Sequence, residues 1–141
     1  ITHLSKVWAK NESSMKIIKV IAAVLGFLGV SLGAFGAHAL RDHLTAHEMT
    51  QAWQTAVQYH LIHAGLCFLL TRNVLDSDRW AKRIAVAWII GIILFSGSLY
   101  GMALGGPKFL GPITPLGGLF LLYGWGCAAW GAFKPTSASR P

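Results

Sequence analysis

Two histidines three residues apart, His60 and His63, lie in the run WQTAVQYHLIHAGLCFLL, Trp53 to Leu70, with Cys67 one turn further on. Positions i, i+3 and i+7 share one face of a helix. Two imidazoles and a thiolate are donors suited to a soft metal or to haem, and would need only a fourth ligand. In an apolar run the same imidazoles could instead serve a proton relay or a solute path through a membrane. The leading expectation is plainer: His60 is neutral and hydrogen-bonded to a hydroxyl on a neighbouring helix. No metal or other cofactor is assigned, because no carboxylate or second cysteine is placed to complete a ligand set. A second group, Asp42, His43, His47 and Glu48, sets His-x-x-x-His beside two carboxylates. If helical it would suit a surface metal; otherwise it is a solvated connection.

The elements that must hold these residues follow from composition. Of 141 residues, 54% are hydrophobic and 12% charged, outside the range of soluble domains. Four stretches, about 20–40, 49–70, 84–104 and 113–133, carry charge only at their ends or first turns. Each is long enough, at about 1.5 Å per residue, to cross a hydrocarbon core of roughly 30 Å. The expected fold is an all-α membrane protein, a four-transmembrane-helix antiparallel bundle over 15–134, with an N-terminal extension (1–14) and a C-terminal tail (135–141). A soluble bundle would need a polar face on every helix, and IAVAWIIGIILFSGSLYGMAL has none.

The formal charge of +7 sorts by loop, which turns a nucleic-acid signal into a topological one. Lys6, Lys10, Lys16 and Lys19 precede the first span. Arg72, Arg79, Lys82 and Arg83 separate the second from the third, and Lys134 and Arg140 follow the fourth. Only Arg41 and Lys108 fall on the other side. Both termini and the middle loop are therefore expected in the cytoplasm of a bacterium with this protein in its inner membrane. Ala37-His38-Ala39 after an apolar run imitates a signal-peptide cleavage site, but the run is too long for one and is read as an uncleaved helix. Met15 would be a natural start. Cys67 and Cys127, without a C-x-x-C pair, read as small packing residues.

Small residues recur at helical spacing: Gly29, Gly33 and Ala37; Gly97, Gly101 and Gly105; Gly124, Ala128 and Ala132. Such stripes let helices approach closely. Trp8, Trp53 and Trp80 suit interfacial anchors near span ends. The loop GGPKFLGPITPLGG is expected as a tight turn, with Thr114 and Pro115 starting the fourth helix. Counting depth from the cytoplasmic boundary puts Ser31, His60, Ser96 and Tyr123 in one midplane layer. On a helical wheel Met49, Trp53, Ala56, His60, His63 and Cys67 share a face, with Gln51, Gln54 and Gln58 nearly opposite, so the second helix should be covered by protein on both sides.

Read in order, GAFGAHAL, WQTAVQYHLIHA, LFSGSLYGMAL and GPITPLGG resemble the domain of unknown function 423 family, the bacterial relatives of transmembrane protein 256. The resemblance spans roughly Met15 to Lys134 and leaves the extension unmatched. It implies a small four-helix protein of the bacterial inner membrane, or the mitochondrial one in eukaryotes, with no established activity. Enzymatic chemistry is not expected, since no phosphate loop, G-x-S-x-G or H-E-x-x-H is present. The expected role is a non-catalytic accessory or scaffolding subunit, in contact with the bilayer and with a membrane-protein partner or further copies of itself. Small-solute, ion or proton transport and histidine-ligated metal or haem binding are the alternatives.

Overall fold

A computed structural model describes the backbone of residues 2–71 and 78–133, with side chains from Ser13 to Thr71 and from Arg79 to Phe133. Trp8, Lys6, Lys10, Arg72, Lys134, Arg140 and the tail 135–141 lie outside the described side chains. The described residues form helices joined by short turns, without strands: α1 (Thr2–Ala37), α2 (Arg41–Ala46), α3 (Thr50–Leu70), α4 (Asp78–Gly91), a π-helical turn (Ile92–Ser96), α5 (Gly97–Ala103) and α6 (Leu110–Phe133). The extension is one helix with the first span. α4, the π turn and α5 run on without a break as one long rod. α1 packs on α3, α3 on α4 and α5, and α4 and α5 on α6.

Three helical segments among the described residues are long and apolar enough to cross a membrane: Ser13–Ala37, Arg79–Ala103 and Leu110–Phe133. Their side chains match that medium. Phe27, Val30, Leu119, Leu122 and Trp130 are more than half exposed, an apolar surface that water would not tolerate but lipid would. α3 has the length for a span, 21 residues, yet not the apolar composition. It takes an inner position between α1 and α4.

Two apolar clusters bracket the centre. One gathers Ile18, Ala22, Cys67, Ile84, Trp88, Leu121 and Cys127; the other gathers Leu44, Trp53, Ala56, Tyr100 and Ala103 at the opposite end. The short α2 ends in a Schellman motif, with Met49 N–H donating to Leu44 O at 2.8 Å and Glu48 N–H to Thr45 O at 3.2 Å. Glu48 occupies the left-handed position at φ 55° that glycine usually fills. α5 ends the same way, with Gly105 there at φ 83° and Gly106 N–H on Gly101 O at 2.8 Å. α6 begins at Leu110, earlier than the expected 113, because Pro112 and Pro115 fall in its first two turns, where few or no intrahelical N–H bonds are forfeited. Lys19 lies over the Phe68 ring and Arg83 over the Trp80 ring, both rings packed against the first cluster, whereas Arg41 adjoins Leu40, which packs against the second.

Candidate functional site: a polar layer between two cores

The buried face of α3 carries Trp53, Ala56, His60, His63, Ala64, Cys67 and Leu70. His60 is 4% exposed. Its Nδ1 lies 3.2 Å from the Tyr100 hydroxyl of α5, and its Nε2 is buried without a hydrogen-bond partner. The Leu25 carbonyl of α1 is near the ring but not in hydrogen-bonding geometry. If Nδ1 accepts the tyrosine proton, Nε2 carries an N–H with no acceptor. If Nδ1 donates, Nε2 is a lone pair with no donor. Either tautomer leaves one nitrogen unpaired in a place where that is costly.

His63 is the opposite case. Its Nδ1 is 2.8 Å from the Tyr59 carbonyl, which can only accept, and its Nε2 receives the Trp125 indole N–H at 3.1 Å, which can only donate. The tautomer is thereby fixed: neutral, with the proton on Nδ1. A second proton would set two N–H groups head to head. The ring stands edge-on to Trp88 and Trp125, with centroids 5.6 and 6.3 Å away.

The same bonds occupy donor atoms that the metal alternative at His60, His63 and Cys67 would use. Both His63 nitrogens are engaged, and the Cys67 thiol is directed to the Ala85 carbonyl at 3.7 Å. Among the described residues no group of three His, Cys, Asp or Glu could hold a metal ion. Near α2, His43 reaches the Ala103 carbonyl at 3.2 Å and His47 the His43 carbonyl at 2.8 Å. The turn there is helical, and its imidazoles act as backbone caps.

Depth alone did not define the expected layer. Ser96 belongs to it: it is fully buried, and its hydroxyl donates to the Ala56 carbonyl of α3 at 2.8 Å. Ser31 does not, because its hydroxyl turns back to Phe27 O in its own helix at 2.9 Å. Tyr123 is corrected too. It is 57% exposed on the outer side of α6. The hydroxyl that meets His60 is Tyr100, which no spacing on α3 could have signalled. Ser98 and Thr114 add a further pair, hydroxyl to hydroxyl at 2.7 Å between α5 and α6.

Trp53, expected at an interface with lipid headgroups, is 2% exposed. Its indole lies against Gly36 of α1, donates to the Leu32 carbonyl at 3.0 Å and packs on Tyr100 at 4.8 Å between centroids. Trp88 repeats the device on the other side, seated on Gly124 of α6 and donating to Leu121 O at 3.3 Å. Absence of a Cβ is what lets each ring reach a backbone carbonyl.

The other packing glycines divide. A Cβ on Gly29 would meet Leu61 Cδ2 at 2.7 Å, and one on Gly33 would meet Val57 Cγ1 at 3.3 Å, so both bring α1 onto α3. Gly101 faces Leu110 Cδ1 at 2.7 Å, within the turn into α6. Gly97 faces open space and seals no helix contact. Gly117, outside the expected stripes, is the tightest approach: a Cβ there would strike the Phe95 backbone. That contact falls in the π turn, where the Phe95 carbonyl accepts the Ser98 hydroxyl at 2.9 Å.

The glutamine face of α3 is not covered. Gln51, Gln54 and Gln58 are exposed, and their amides make no hydrogen bond among the described residues. Gln54 and Gln58 edge a cleft of about 260 Å³ formed with Gly33, Gly36, Thr50 and Val57.

An all-helical chain with apolar outer rods, and with its few polar groups gathered at the centre and the ends, is an integral membrane protein. It belongs to the DUF423 family, whose model, described as "Protein of unknown function (DUF423)", matches residues 32–118. The UPF0382 membrane protein of Haemophilus influenzae is 37% identical over 83% of this chain and 94% of its own length. UPF0382 inner membrane protein YgdD of Escherichia coli K12 is 36% identical over 84% and 91%. A UPF0382 membrane protein of Schizosaccharomyces pombe is 36% identical over 74% and 92%. No solved structure matches.

Proposed function

We propose that the chain is a non-catalytic membrane subunit that spans an inner membrane four times, with both termini cytoplasmic, and docks through the open face of α3 to a membrane-protein partner or to further copies of itself. The observation that carries this reading is the exposed pair Gln54 and Gln58. With α3 as the fourth span, both amides lie within the hydrocarbon, where an unsatisfied polar group costs several kcal/mol. A neighbouring helix seated beside Gly33 and Gly36 would supply their hydrogen bonds. The clustering of basic residues at one end supports the orientation, and the name of the Escherichia coli relative supports the bacterial inner membrane.

Native mass spectrometry of the full chain, extracted from its own membrane in mild detergent, tests the docking. The 15.2 kDa chain should appear with a second protein or as a small oligomer, and Gln54→Leu with Gln58→Leu should release it. A monomer throughout, or an assembly indifferent to both substitutions, would overturn the proposal.

A further inference from the structure

The open face of α3 is a single stripe. Gln51, Gln54, Gln58, Ile62, Gly65 and Leu69 are all exposed and, at 3.6 residues per turn, fall within about 80° of one another. The stripe runs about 27 Å along the helix, close to the thickness of a hydrocarbon core, and carries no charge. Its first half is amide and its second half apolar. Two hollows flank it on the side of α1: the cleft of about 260 Å³ at Gly33 and Gly36, and another of about 380 Å³ where Ala22 and Gly26 oppose Ala64 and Gly65. A Cβ at Gly26 or Gly65 would meet nothing within 4 Å. Neither glycine serves a close contact within the described chain.

We infer that the occupant of this face is a second copy of the chain, in a twofold dimer whose axis runs parallel to α3 and beside it. The inference rests on the docking reading above and names its partner. A twofold axis along the membrane normal sets each residue of the stripe against its own counterpart at the same depth. Such an interface selects polar side chains that can bond to themselves. A primary amide can, having both N–H donors and a carbonyl acceptor, whereas a charged group repels its copy. All three polar positions of the stripe are glutamine, a restriction that a partner of different sequence would not impose. Beyond Gln58, the side chains of Ile62 and Leu69 pack on their copies, and Gly65 lets the two backbones close together. Each α3 then lies over the hollows between α1 and α3 of the other copy, with Gly26 and Gly33 beneath it. Its amides need no other protein to shelter them.

The test is disulfide trapping of the full chain in its own membrane. With Cys67 and Cys127 replaced by alanine, Ile62→Cys and Leu69→Cys should each give linked dimers on mild oxidation. Ile93→Cys and Leu119→Cys, at exposed positions of the π turn and α6, should not. Adding Gln54→Leu and Gln58→Leu should cut the dimer trapped by Leu69→Cys about tenfold, the effect of two interhelical hydrogen-bonded pairs in a membrane. Native mass spectrometry of the unaltered chain should show twice the 15.2 kDa mass. Equal linking at all four positions would mean random collision and overturn the dimer. Were Ile62→Cys and Leu69→Cys not to link, while a different protein is captured and released by the glutamine substitutions, docking would stand and this inference would fall. No link and no captured protein would remove both. Linking undiminished by the glutamine substitutions would overturn the amide pairing.

Discussion

His60 and His63 sit one turn apart on α3 and end in opposite states. His63 has a donor and an acceptor of the right sense on its two nitrogens, so it is a finished structural joint between α3 and α6. His60 has one bond and one orphan. The two histidines therefore respond differently to change. Tyr100→Phe should leave both His60 nitrogens unpaired and lower stability by about 1 to 2 kcal/mol. His60→Leu removes the orphan with the ring and should lower it by less, on the order of 0.6 kcal/mol, an average interhelical hydrogen bond in a membrane. Melting temperatures of both variants in one detergent decide the order. A larger loss for His60→Leu would show that Nε2 does have a partner in the membrane.

The elements are joined by indoles laid on glycines and by one close backbone crossing at Gly117. Gly117→Ala should cost about 1 to 3 kcal/mol, because its Cβ meets main chain, which cannot swing aside. Gly97→Ala should be neutral or stabilise by up to about 1 kcal/mol, since its Cβ meets nothing and alanine favours the helix. Equal losses, measured by detergent unfolding, would contradict the assignment of these two faces. The same elements show what could be read beforehand. Three long apolar helices were legible because a bilayer allows so few alternatives. The buried face of α3 was legible too, since a single regular helix keeps its 3.6-residue period from Trp53 to Cys67. What failed were statements that needed a second helix's rotation. Depth put Tyr123 level with His60 but says nothing of azimuth. Tyr100 was hidden by the π turn: in a straight α-helix, Trp88 and Tyr100 would be roughly 120° out of phase. Five residues of wider π winding take back about a quarter turn, so that both face α3.

For the molecule as a whole, the proposed four-span arrangement makes a topological statement that surface chemistry can check. After Cys67 and Cys127 are replaced by alanine, single cysteines at Lys16 and Lys82 should react with a membrane-impermeant thiol reagent only from the cytoplasmic side. Cysteines at Arg41 and Lys108 should react only from the other. Labelling of Lys16 and Lys82 from different faces would break the four-span arrangement, since it would require α3 not to cross.

The polarity of α3 bears on how the protein is made. A translocon partitions each emerging segment by its own hydrophobicity, and a segment with three glutamines and two histidines has little claim to lipid alone. α1, already in the bilayer, offers the groove at Gly29, Gly33 and Gly36 into which Leu61, Val57 and Trp53 fit. α3 should therefore enter as the second arm of a hairpin, carried by the helix synthesised before it. In a cell-free insertion assay with glycosylation reporters, α3 placed alone in a host protein should fail to integrate in a large fraction of chains, and the α1–α3 hairpin should integrate efficiently. Gly36→Leu, which closes the seat of Trp53, should return the hairpin toward the behaviour of the lone segment. Equal integration of the lone segment and the hairpin would remove any biogenetic role for that contact.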